Sequence, residues 1–416
     1  MTSIAARNAC PGLSAPMATG DGLLARFAPR GCIPPEAFIA FCAAARRHGN
    51  GTIEITGRGS LQVRGLSSAS ADRFASEVAA LEIAPIGGVP ILVDPLADDP
   101  DILIDATDLA ARVQQAVVDV RLVLAPKVCV IIDGGGRLHL DALAADIRLR
   151  AFDTARGSRF YVAVGGTAAT ATPLGSITPD TAVRAIVNIL RVIAARGRKA
   201  RAVDLLNDDG IDAFHSPLER DVETGSHPLS RPAVDPVTQH PLRDGLLALG
   251  IALPFGQAHA DSLSELMRAA AELGVRSARP APGRALLLIG LRDAIIPAIK
   301  HAAERLGFIV RPGDARRHII ACPGKPACSS GLIAARALAL ELARHLPPLS
   351  KPIHLSGCSK GCAHPGAAAL TVVGTERGCG IIQNGSAAAM PRYYVDATDL
   401  AGEVVRIVDT GETVHA

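Results

Sequence analysis

"GDGLLARFAPRG" (residues 20–31) returns, altered, as "RDGLLALGIALP" (243–254). Asp21-Gly22-Leu23-Leu24-Ala25 lines up with Asp244-Gly245-Leu246-Leu247-Ala248. Each copy runs into a segment with apolar residues three and four apart, "PPEAFIAFCAAARRHG" and "ADSLSELMRAAAELG", the period of a helix that buries one face. Each then reaches a strand-like stretch ending in Gly-Leu, "GTIEITGRGSLQVRGL" at 66 and "PGRALLLIGL" at 291, which end 45 and 47 residues after the Asp. Further on, "VLAPKVCVIIDGG" (123–135) answers to "HLSGCSKGCAHPG" (354–366), and "FYVAVGG" (160–166) to "ALTVVGT" (369–375). Short matches arise by chance, but an ordered series at kept spacing indicates an internal duplication. Strands and helices mix in each half, which predicts an α+β or α/β protein.

Between the copies, "NDDGIDAFHSPLERDVETGSHPLSRPAVDPVTQHP" (207–241) is rich in Pro, His and acids and lacks periodicity, so it reads as a connector. Its His215, His227 and His240 are expected to be solvated rather than metal-bound. The chain of 416 residues is long enough for roughly 2–4 domains. With 49% hydrophobic residues and a net charge of +3, it has neither a basic tail nor a nucleic-acid stripe. Arginines number 37 against six lysines, and on composition alone a biased genome accounts for that better than a carboxylate-binding site. The segment "MTSIAARNACPGLSAPMATGDG" lacks a signal-peptide pattern, and no apolar run reaches the ~18 residues of a membrane span. A cytoplasmic protein is expected, in which clustered cysteines bind metal more often than they form disulfides.

Four of the nine cysteines form two tight pairs in "CPGKPACSSGLIAARALALELARHLPPLSKPIHLSGCSKGCAHPG" (322–366). Five residues separate Cys322 from Cys328, 29 follow, and three separate Cys358 from Cys362. Zinc knuckles favour closer pairs. Pro323, Gly324 and Pro326 make the first pair a loop around something bulkier than one ion, and Gly357 and Gly361 let backbone N–H groups approach anionic sulfurs. Ser329 or Ser330 is placed to cap the helix "GLIAARALALELARH", turning its positive end toward the site. The pattern predicts a 4Fe–4S cubane held by Cys322, Cys328, Cys358 and Cys362. Cys10, Cys32, Cys129 and Cys379 read as small core residues.

These motifs, "ACPGKPAC" with "SGCSKGCAHP", resemble the C-terminal half of the sulfite and nitrite reductases, and the duplication resembles their architecture over almost the whole chain. "ACPGLSAPMATGDGLLARF" (9–27) resembles more closely the precorrin-3B synthases, the oxygenase branch of that superfamily. The resemblance implies two ferredoxin-like half-domains and two cluster-type domains related by a pseudo-twofold repeat. Residues 1–70 and 243–310 would be the half-domains, 71–205 a domain without a cluster, 206–242 a linker and 311–416 the cluster domain.

In the reductases four basic groups surround the inorganic anion. Here Arg26 holds the first position and Lys127 the third, while Pro100 or a neighbouring acid stands at the second and Cys129 at the fourth. Two lost charges leave the chain ill-equipped to reduce a bound oxyanion. The tetrapyrrole-gripping motif is better kept: "EITGRGSLQVRG" carries Thr56, Arg58 and Gln62, with Glu54 where an Arg is expected and Arg64 where a His is common. Read as one strand, 58, 60, 62 and 64 share a face. Arg58 and Arg64 on the solvent side is the bland account; a carboxylate-rich ligand is the one the cluster motif favours.

The tetrapyrrole is therefore expected as substrate. The resemblance implies O2-dependent hydroxylation of precorrin-3A with lactone formation in aerobic cobalamin biosynthesis, electrons passing from reduced nicotinamide through an electron-donating reductase. It also implies a mononuclear non-haem iron, for which His354 and His364 are the nearest candidates, with a strand-end role equally open for His354. The rival readings are a sirohaem-dependent sulfite or nitrite reductase and a non-catalytic iron–sulfur electron carrier. Neither nucleic acid nor membrane is expected as a partner.

Overall fold

A computed structural model describes residues 11–83, 88–218, 222–223, 225, 227–347, 349 and 351–410. They fall into two compact units, one built from 11–83 with 249–410 and the other from 88–248. Cys10 lies outside the described residues.

The first unit opens with the hairpin β1 (Met17–Thr19) and β2 (Gly22–Phe27), then α1 (Pro35–His48), the hairpin β3 (Thr52–Ile55) and β4 (Leu61–Leu66), and α2 (Ser68–Ala80). Pro35 and Glu36 in the first turn of α1, with Arg46, Arg47 and His48 in its last, suit the helix dipole. Phe38, Phe41, Cys42 and Ala45 form its buried stripe. Reciprocal hydrogen bonds between Ser67 and Ser70 start α2. Helix formers thus line one face of an antiparallel sheet ordered β1-β2-β4-β3.

The second unit holds β5 (Ile91–Val93), α3 (Ala106–Asp119), β6 (Val130–Asp133), β7 (Ala145–Thr154), β8 (Gly157–Gly166), β9 (Thr172–Ile177), α4 (Ala182–Ala195), α5 (Ala202–Asp209), α6 (Asp212–His215) and β10 (Gln239–Pro241). Its sheet runs β5-β6-β7-β8-β9, parallel across the first two pairs and antiparallel after. Val113, Val130, Ile132, Ile147, Phe160 and Ile186 fill its core. Helices α5 and α6 occupy the start of the expected connector. His240 is not solvated: it is buried and bonded to the Pro236 carbonyl at 3.2 Å, and a satisfied imidazole can leave water at little cost. His227 is exposed, as expected.

The chain then completes the first unit with β11 (Leu247–Ala252), β12 (Gln257–His259), α7 (Ala260–Glu272), β13 (Ser277–Ala281), β14 (Ala285–Leu291) and α8 (Ile296–Arg305). Next come β15 (Ile319–Ala321), α9 (Ala335–His345), β16 (Ile353–Ser356), β17 (Ala368–Thr375), β18 (Gly378–Gly385), β19 (Tyr393–Val395) and α10 (Leu400–Asp409).

The duplication is visible as topology. The order β2-α1-β3-β4-α2 recurs as β11-α7-β13-β14-α8, with strands paired β2-β4-β3 and β11-β14-β13. The order β5-α3-β6-β7-β8-β9-α4 recurs as β15-α9-β16-β17-β18-β19-α10, with the same parallel and antiparallel pairings. The two half-domains also exchange backbone. β12 extends the first sheet beside β3, while Ile33, just ahead of α1, bridges Ala278 of β13. Helices α1 and α7 pack together across that exchange. Residues 11–70, 249–310 and 311–410 of the expected segments lie in this first unit together with α2, while 243–248 fall in the second. Among the described residues no helix is long and apolar enough to cross a membrane.

Candidate functional site

Cys322 follows β15 directly, Cys358 follows β16 by one residue, and Cys328 and Cys362 lie on the loops these strands lead into. Parallel pairing of β15 with β16 therefore brings both cysteine loops to one end of the sheet. Glycine makes the approach possible. A Cβ on Gly357 would lie 3.0 Å from Gly324 Cα and 3.3 Å from Cys322 Sγ, and one on Gly20 would lie 2.3 Å from Cys328 Sγ. Gly357 N–H donates to Cys322 Sγ at 3.0 Å. Burial, and then the neighbouring Cys358, Cys322 and Cys328, push the Cys362 thiol up, so the four thiols share one electrostatic neighbourhood.

The β1–β2 turn closes this neighbourhood from the other side: Gly20 O accepts from Ser329 N at 3.2 Å and from Ser329 Oγ at 3.1 Å. That contact overturns the expected cap. Helix α9 begins at Ala335 without a side-chain cap, because Ser329 is spent on Gly20 and Ser330 Oγ accepts from Lys360 Nζ at 2.7 Å. Residues 329–334 wrap the loop instead, with Leu332 N bonded to Gly357 O at 2.7 Å.

A polar row crosses the neighbouring sheet. Arg26 of β2 faces Gln62 of β4, which faces Glu54 of β3, which faces Gln257 of β12. Arg26 Nε donates to Gln62 Oε1 at 2.6 Å, Gln62 Nε2 to Glu54 Oε2 at 2.5 Å, and Gln257 Nε2 to Glu54 Oε1. Glu54 thus accepts from both flanks, and Arg64 and Arg336 stand at 3.5 and 3.7 Å from its oxygens.

Arg64 grips Asp21 through Nε and Nη2 at 2.7 and 2.8 Å. Burial works to raise the Asp21 pKa, but the Arg64 fork and the Thr19 hydroxyl outweigh it and hold this carboxyl below its usual range. Arg336, in the first turn of α9, is pulled down to about 10 by burial, with Glu54, Arg64 and Cys322 among the charges it feels. It stays cationic at neutral pH.

The sequence-picked residues separate as follows. Arg26, Gln62 and Arg64 converge on the row. Thr56 sits in the β3–β4 turn, where its hydroxyl accepts from Ser60 N at 3.0 Å. Arg58 lies in the same turn, exposed and outside β4, so it does not share the strand face of Gln62 and Arg64. Gly57 and Gly59, the latter at φ +80°, end the strand there. Lys127 is exposed in the turn before β6, in the second unit. Cys129 and Cys379 are buried as expected, whereas Cys32 is exposed on the loop before α1, where the neighbouring Ile33 takes the buried place.

Sequence reading missed Arg336, Gln257 and Arg284. Neither helix nor strand periodicity marks them, since Arg336 reads as one more arginine on an amphipathic helix. His354 is fully buried, with both ring nitrogens unpartnered and its ring edge-on to His364 at 5.6 Å between centroids. Burial, then His364 and Arg284, hold it down to about 4. Among the described residues no group of three His, Cys, Asp or Glu side chains is gathered for a single ion. A two-His-one-carboxylate iron therefore does not fit at His354 and His364, which lack the third donor and face a guanidinium. The glycine cradle and the N–H···S bond do fit a cubane. A cavity of about 630 Å³, lined by Arg311, Asp314, Arg316, Leu340, Arg344 and Leu346, opens at the other end of α9 and carries none of the four cysteines.

Residues 15–81 match the family described as the nitrite/sulfite reductase ferredoxin-like half domain. The NirA protein of Mycobacterium tuberculosis has the same fold, with a TM-score of 0.71 at 18% identity over 93% of this chain and 80% of that one. The ferredoxin–nitrite reductase of Synechococcus elongatus is 26% identical, covering 84% of this chain and 75% of the relative. Fold and matched half domain together give the chain a sulfite/nitrite-reductase-like fold. A precorrin-3B synthase from Sinorhizobium sp is 38% identical over 409 residues, 96% of this chain and 88% of the relative. The chain belongs to the precorrin-3B synthase family.

Proposed function

We infer that this oxidoreductase hydroxylates precorrin-3A with dioxygen, the product closing a lactone, in aerobic cobalamin biosynthesis. The match to the Sinorhizobium synthase along nearly the whole chain carries the reading. Mono-oxygenation sends one oxygen atom to the product and the other to water, and so consumes two electrons and two protons. A 4Fe–4S cluster on Cys322, Cys328, Cys358 and Cys362 would supply one-electron transfer from a reductase partner.

The chain's own residues bind and orient. Arg26 and Arg58 would meet carboxylates of the tetrapyrrole, and Thr56 fixes the turn that presents Arg58. Gln62 and Arg64 act one step back: Gln62 holds the Arg26 guanidinium, and Arg64 ties β4 to the β1–β2 turn through Asp21. Pro100 and Cys129 support the reading over sirohaem-dependent reduction of sulfite or nitrite, because they stand where the resemblance expects basic groups around the inorganic anion.

The test is cofactor extraction followed by turnover. Anaerobically purified protein is expected to contain iron and sulfide without sirohaem, and to convert precorrin-3A to precorrin-3B in the presence of dioxygen and reductant. Stoichiometric sirohaem with sulfite or nitrite consumption would replace this reading with the reductase one.

A further inference from the structure

We propose that Arg336 links the cysteine loops to the Glu54 row electrostatically, and that its charge sets the reduction potential of the cluster. The inference rests on the four cysteines being cluster ligands and adds a residue that touches neither the loops' thiols by hydrogen bond nor the substrate.

Three observations carry it. First, α9 packs its start directly on the Cys322–Cys328 loop, since a Cβ on Gly324 would stand 2.5 Å from Ala335 N, one residue before Arg336. Second, the guanidinium is incompletely bonded: Glu54 Oε1 is 3.7 Å from Nη2, beyond hydrogen-bond range, and the buried Nε has no partner. Third, the charge has the wrong sign for its place. The first turn of a helix favours anions, and this one holds no acid to offset an arginine. A partly buried cation at the positive end of a helix, its Nε without a partner, costs stability unless an anion faces it. A cubane with four thiolates is such an anion, and its charge grows by one on reduction. Arg64 cannot take this part, being committed to Asp21 through two nitrogens. Lys360 is exposed and bonded to Ser330.

The sign follows. A nearby cation favours the reduced cluster, so removing Arg336 makes reduction harder, while removing the charge of Glu54 leaves Arg336 less compensated and makes reduction easier. The experiment is an EPR-monitored potentiometric titration of the whole protein, with iron and sulfide counted first. Arg336→Gln is expected to shift the midpoint negative, Arg336→Lys to restore most of the shift, and Glu54→Gln to shift it positive. A midpoint unmoved in Arg336→Gln, or moved equally in Gln and Lys variants, overturns the proposal. Should Arg336→Gln fail to retain a cluster, Glu54→Gln decides: a positive shift supports the link and an unmoved midpoint ends it. Wild-type protein without cluster iron would instead sink the cysteine assignment.

Discussion

Arg64 shows how one side chain can be read correctly as important and wrongly as to why. Its position beside Gln62 suggests a carboxylate-binding arginine, yet the carboxylate it meets is Asp21, 43 residues away in the sequence. Arg64→Ala would strand a buried, charged Asp21, a change that typically costs about 3–5 kcal/mol. The Asp21 pKa is depressed in the folded state, so the pair's contribution is present above about pH 4 and is lost as pH falls through the folded value. Urea denaturation at pH 7 and near pH 3 should therefore show a wide gap between wild type and variant at neutrality and a narrow one in acid. Equal gaps at both pH values would remove the Asp21 pair as its cause.

At the scale of elements, the β1–β2 turn and the cysteine loop are one unit of packing although about 300 residues separate them. Gly20→Ala drives a methyl to 2.3 Å from Cys328 Sγ, whereas Gly31→Ala meets nothing within 4 Å. The first substitution should lower iron and sulfide per chain severalfold, and the second should leave both unchanged; equal metal content in the two would free the turn from the site. The duplicated strands show how the proposed cluster site of one repeat differs from its counterpart in the other. Asp94 follows β5 as Cys322 follows β15, and each caps the glycine turn of the next strand: Gly134 N bonds Asp94 Oδ2 at 2.6 Å, as Gly357 N bonds Cys322 Sγ. A buried carboxylate in one repeat thus occupies the place of the thiol in the other, with the same backbone contact.

At the scale of the whole molecule, the proposed cluster would join the loops that follow β15 and β16. Cys358→Ser replaces a soft thiolate with a hydroxyl that cubanes hold poorly, and should lose iron, sulfide and precorrin-3B formation together. Cys42→Ala should keep all three, since burial pushes the Cys42 thiol up to about 12 and leaves it an inert packing group in α1. A Cys358→Ser protein with full iron and turnover would move this residue out of the site. The sequence by itself determined the duplication, the helices α1 and α7, the four cysteines and the class of protein, because period, spacing and glycine placement are local properties of a chain. Only the tertiary structure decided the exchange of β12 and Ile33 between half-domains, the row from Arg26 to Gln257, the meeting of Gly20 with Cys328 and the place of Arg336. Each of these joins residues from distant segments, and their contact depends on how sheets register and pack rather than on any pattern within one stretch.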